Sequence, residues 1–81
     1  LGTKINDAKA LEFYLKGAMG GDANCQRLIG TFYSSGKGGV VKDSKKGFEW
    51  FVKSADQGDC AGQFNVGVCY LNGKGIGKDE K

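Results

Sequence analysis

The stretches LIGTFYSSGKGGVVKD (residues 28–43) and NVGVCYLNGKGIGKD (residues 65–79) each pass from an apolar run through a glycine-lysine loop to an aspartate. Two explanations compete: a phosphate-gripping loop used twice, or a structural unit that has been duplicated. The flanking residues decide. A displacement of 37 residues lays LEFYLKGAMGGD (11–22) on FEWFVKSADQGD (48–59). It also carries Gln26, Gly30, Tyr33, Gly36, Lys37 and Gly38 onto Gln63, Gly67, Tyr70, Gly73, Lys74 and Gly75. Beyond the glycine loop the displacement becomes 36, because GKGGVVKD has one residue more than GKGIGKD. A period of this size marks a repeat architecture, and an insertion confined to a loop is what such a unit tolerates best. The copies run over about 6–42 and 43–81.

Each copy reads as two helices. Around residues 7–19 and 44–57, Ala10, Phe13, Tyr14 and Gly17 in one copy and Gly47, Trp50, Phe51 and Ser54 in the other recur at three and four positions. Asn6 and Asp43 stand at the N-cap positions, and the glycines at 20, 21 and 58 are available for left-handed helix ends. A second pair runs from about 23 to 35 and 60 to 72, led by Asp22 and Asp59 and closed by Gly36 and Gly73. No proline interrupts them, and the one strand-like run, VGVCYL, contains Gly67. The spacing predicts Phe13, Tyr14, Trp50 and Phe51 as core. At about 100° per residue, it also turns Gln26, Ile29, Gly30 and Tyr33, and likewise Gln63, Val66, Gly67 and Tyr70, into the packing.

The chemistry of catalysis is hard to assemble from this chain. SSGKGG follows a predicted helix, not a strand, and lacks the glycine four positions before Gly-Lys and the Ser or Thr after it that a phosphate loop requires. Lys37 and Lys74 read as solvated charges near helix C-termini. Ser34-Ser35-Gly36-Lys37 matches S-x-x-K, but its companion S-D-N and K-T-G elements are absent. With no histidine, a cysteine nucleophile has no usual base, and without a Cys-x-x-Cys pair there is no ligand set for structural zinc. No metal or cofactor is expected. Twelve basic residues against nine acidic ones give +3, with the signs interleaved, which is a solvated surface and not a nucleic-acid footprint. Cys25, Cys60 and Cys69 lack the even, close spacing of a disulfide-stapled domain, so a cytoplasmic or other reducing compartment is expected, with a secreted or lumenal one left open. No run approaches a membrane span.

With Trp50, KSA and QGD, then Gln63, VG, Tyr70 and NGKGIGKD in order, the chain resembles the Sel-1-like repeat, a tetratricopeptide-type helical repeat. The resemblance runs from about Asn6 to Lys81, and the first copy departs from it with Phe13 for Trp50 and KGA for the usual paired alanines. It implies an all-α solenoid of antiparallel helix-turn-helix units, about two repeat equivalents here. It also implies a phase, with the LG..Y helix first in each unit, so that one complete pair spans about 23–57 between two half-units. Stacked units bury their apolar faces against neighbours, so the segment is expected to belong to a longer array.

By the same resemblance the function expected is that of a non-catalytic scaffold or adaptor holding protein or peptide partners on its concave face. Two alternatives stand beside it: a targeting or regulatory arm of an enzyme whose catalytic domain lies elsewhere, and self-association through the open ends of the stack. The first helix of each pair would line the groove. One step round the wheel from the packing lie Arg27, Thr31 and Ser34 in one copy and Phe64, Val68 and Leu71 in the other, and Asn24 joins them in the expected groove. The expected groove is therefore half polar and half apolar, with Arg27 and Asn24 anchoring a polar or acidic portion of the partner. A competing reading makes Phe64, Val68 and Leu71 the seat of the next repeat.

Overall fold

Four side-chain oxygens begin four helices. The Asn6 side chain accepts a hydrogen bond from the Lys9 amide at 2.9 Å, Asp22 from Cys25 at 3.0 Å, Asp43 from Lys46 at 3.1 Å and Asp59 from Gly62 at 3.1 Å. Each satisfies an amide that the first turn would leave unpaired. The computed structural model describes residues 6–73, in which the helices are α1 (Asp7–Met19), α2 (Ala23–Ser35), α3 (Ser44–Asp56) and α4 (Cys60–Asn72). No strand occurs among the described residues. VGVCYL lies inside α4.

Gly36 and Gly73 close α2 and α4 in the left-handed conformation, at φ 79° and 70°. The glycine loop thus turns the chain. After Gly36 it folds back on its own helix: the Gly36 and Lys37 amides both donate to the Phe32 carbonyl, and the Asp43 amide to the Tyr33 carbonyl at 2.8 Å. A Cβ on Gly38 would stand 2.7 Å from the Phe32 ring. Of the glycines expected at the other helix ends, Gly21 and Gly58 are left-handed, whereas Gly20 is not, with φ −81°. In GG it is the second glycine that makes the turn. α3 ends at Asp56, and Gln57 is its cap.

The helices form an antiparallel all-α repeat solenoid in which α1 packs on α2, α2 on α3 and α3 on α4, while α2 also reaches α4. Ile29, fully buried, centres a core with Leu11, Ala18 and Phe32, and Tyr14, Leu15, Cys25, Tyr33 and Trp50 close around it. Between α2 and α3 the backbones come very near: a Cβ on Gly30 would lie 2.6 Å from ring carbons of Phe51 and 2.9 Å from the Gly47 carbonyl. Phe51 is buried, and Trp50 and Tyr14 are half-buried, but Phe13 is 58% exposed, contrary to its expected core role. The same holds for Gln63, Gly67 and Tyr70, which are exposed where Gln26, Gly30 and Tyr33 are buried or half-buried. A helical wheel gives the direction of a side chain but not whether a helix lies there to meet it.

Candidate functional site

The second helices of the two copies, α2 and α4, lie side by side, and between them opens a groove of about 340 Å³. Thr31, Ser34 and Ser35 line it from α2, Asn65, Val68, Cys69 and Asn72 from α4, and Phe51 from α3. The α4 residues recur at three and four positions, so one stripe of the helix faces the opening. None of the eight side chains is charged. The groove offers two carboxamides and three hydroxyls set against the apolar surface of Phe51, Val68 and Cys69.

Three of the seven expected site residues, Thr31, Ser34 and Val68, meet in this groove. Asn24 and Arg27 stand at the other end of α2 and are turned to each other: Arg27 Nη2 donates to Asn24 Oδ1. Arg27 Nε also lies 3.3 Å from Asp59 Oδ2, an ion pair by distance, but its N–H does not point along a hydrogen-bonding line to any acceptor. Phe64 and Leu71 stay on the outside, 71% and 83% exposed. Their counterparts in the first copy, Arg27 and Ser34, are the residues that touch the following unit, Arg27 at Asp59 and Ser34 where a Cβ on Gly47 would fall. Asn65, Asn72 and Ser35 were not among the residues expected in the groove. The stripe that faces α2 lies one step round the helix from the one chosen, an angle set by packing between units.

Asp59 joins the units electrostatically. Its carboxylate accepts from the buried Ser54 hydroxyl at 2.8 Å and from the Gly62 amide, with Arg27 alongside. These partners, the Ser54 bond foremost, hold its pKa below the usual carboxylate value against the opposing effect of desolvation. A lowered folded-state pKa contributes stability that is present above the unfolded value of about 3.9 and is lost as pH falls through the folded one. Asp59→Asn keeps a capping oxygen but loses the charge. The variant is therefore expected to melt below the parent at neutral pH, with the gap narrowing in acid, as read by thermal denaturation across a pH series. A gap that does not change with pH would refute the charge argument. At Cys25, desolvation and then the neighbouring Asp22 carboxylate raise the thiol pKa, which disfavours the thiolate that a nucleophile needs.

The Sel1 repeat family model matches residues 1–22, 23–59 and 60–81, which together span the chain. The chain belongs to the Sel1 repeat family. A search of solved structures adds the crystal structure of a Sel1 repeat protein from Oxalobacter formigenes, similar at a TM-score of 0.87 and 30% identity. That likeness covers 98% of this chain and 32% of the other, so the present segment spans about a third of its relative's length. No curated protein matches. Sel1 repeats are in general protein-interaction modules, and the fold is typically a non-catalytic scaffold. Among the described residues no helix is long and apolar enough to cross a membrane. In Sel1 terms α2 and α3 fall within the match at 23–59, α1 within the match before it and α4 within the match after it.

Proposed function

We propose that this Sel1 segment is a non-catalytic scaffold that holds an uncharged, extended segment of a partner protein in the groove between α2 and α4. The observation that carries this reading is the lining of the groove. Asn65 and Asn72 present carboxamides, each with a donor and an acceptor, and so can satisfy peptide N–H and C=O groups that binding would strip of water. Val68, Cys69 and Phe51 supply the apolar contact that gives such sites their affinity. An acidic partner segment anchored by Arg27 is the less favoured version, because a carboxylate there would compete with Asp59. Nucleic acid fits poorly, since no lysine or arginine lines the groove.

Peptides selected by display against the immobilised chain provide the test. Binding is expected to weaken about tenfold or more with Val68→Asp, by burying an unpaired charge, and to fall with Asn65→Ala. Added salt should leave it nearly unchanged, because no ion pair is made. Phe64→Ala and Arg27→Ala act outside the groove and are expected to leave affinity intact. Selected peptides that bind both groove variants as tightly as the parent would show that the groove is not the site.

A further inference from the structure

The two walls of the groove differ in what they can bond, and the difference names a chemistry for what enters. A hydroxyl carries one hydrogen and two lone pairs. On α2 that hydrogen is spent inside the helix: Thr31 Oγ1 donates to the Arg27 carbonyl at 3.2 Å, and Ser35 Oγ to the Thr31 carbonyl at 2.8 Å. Each bond reaches one turn back, as serine and threonine within helices do. Both oxygens therefore keep only lone pairs for a ligand. Ser34 does not add a donor beside them, because its Oγ lies against Gly47 of α3, where an added Cβ would fall. The α4 wall is of the other kind, since Asn65 and Asn72 each bring donors and an acceptor. Charge then narrows the choice of donor. The Lys42 Cβ is 3.2 Å from the place of a Cβ on Gly36, the residue after Ser35, and Lys37 comes next in the chain. Among the described residues no acidic side chain lines the groove. An ammonium entering beside Ser35 would meet like charges and no counter-charge. A carboxylate, which only accepts, would set its lone pairs against those of Thr31 and Ser35. A neutral N–H meets neither obstacle.

We propose that the groove selects partner segments bearing a primary carboxamide, the side chain of glutamine or asparagine, and that Thr31 and Ser35 are the residues that select it; this rests on the groove being the partner site. The two residues stand one turn apart on one face of α2, separated by about 6 Å of helix rise. An N–H···O bond spans about 2.9–3.0 Å. One amide nitrogen lying midway thus donates one hydrogen to each oxygen, which neither a carboxylate nor a thioether can do. The carbonyl of the same amide turns toward α4, where Asn65 and Asn72 have N–H groups to offer it. Val68 takes the methylenes of the side chain.

A phage-displayed library of random peptides, panned in parallel on the parent and on the double variant Thr31→Val, Ser35→Ala, tests this. Both positions are exposed, and circular dichroism confirms that the variant is folded. Peptides from the parent are expected to carry glutamine or asparagine at one fixed place among their apolar residues, and peptides from the variant are not. In synthetic copies of a parent-selected peptide, exchanging that carboxamide for a carboxylate, an ammonium or a thioether side chain weakens binding to the parent about tenfold. On the double variant the loss on exchange for the thioether disappears. Peptides that Val68→Asp weakens, but that show no carboxamide preference or keep the same preference on the double variant, would overturn this inference and leave the groove standing. Peptides indifferent to Val68→Asp would remove both.

Discussion

Ile29→Ala is expected to remove a large share of the chain's stability, while Val66→Ala at the equivalent position is expected to be tolerated. Ile29 is fully buried at the centre of the core, with Leu11, Ala18 and Phe32 around it. Deleting its side chain removes the transfer energy of three carbons and opens a cavity that α1 and α2 can fill only by moving. Such truncations cost about 2–5 kcal/mol. At the usual ~0.05–0.15 kcal/mol per residue, a chain of 81 residues has about 4–12 kcal/mol in all, so one substitution consumes much of the margin. Val66 is half-buried and smaller, and its loss removes fewer contacts. Urea denaturation followed by circular dichroism would separate the pair, and equal midpoints would show that the core does not centre on α2.

Gly30→Ala and Gly67→Ala are expected to move stability in opposite directions. At Gly30 the added methyl would stand 2.6 Å from the ring of buried Phe51 and 2.9 Å from a backbone carbonyl. Neither neighbour is the free end of a flexible chain. Relief requires α2 and α3 to separate, and overpacking of this kind typically costs about 1–3 kcal/mol. At Gly67 the methyl meets open space, and alanine in place of a mid-helix glycine gains about 0.5–1 kcal/mol. A shift of the same sign and size at both sites would refute the claim that the two copies differ in what covers them.

Much of the fold could be read from the chain because its signals are local. Asn6, Asp22, Asp43 and Asp59 cap helices through atoms three residues away, and Gly36 and Gly73 turn the chain where they stand. Spacing places Trp50 correctly and Phe13 incorrectly for one reason. Trp50 reaches the core around Ile29, whereas its counterpart on α1, Phe13, has no helix to meet among the described residues and is 58% exposed. The candidate groove depends on two helices at once. Thr31, Ser34 and Val68 could be found from a single wheel, but Asn65 and Asn72 enter only through the angle at which α4 meets α2. Gln57 was beyond reach for the same cause: its side-chain amide donates to Gly21 O at 2.7 Å and to Gln26 Oε1 at 2.9 Å, across 36 and 31 residues.

That pair of bonds gives the stack a mechanical character. Where α2 meets α3, glycine-to-ring contact at the middle resists any change of spacing, since the surfaces already touch and dispersion falls steeply with a gap. At the turn end the units are tied by amides and an ion pair, the exposed bonds of Gln57 and the Arg27–Asp59 contact. Water can replace such partners at little net cost. Tension across the α2–α3 joint would therefore bend it about the glycine contact, spreading the turns while the helices stay apposed. The joint between α2 and α3 would thus flex about Gly30, restrained at its turn end by Gln57 and by the Arg27–Asp59 pair.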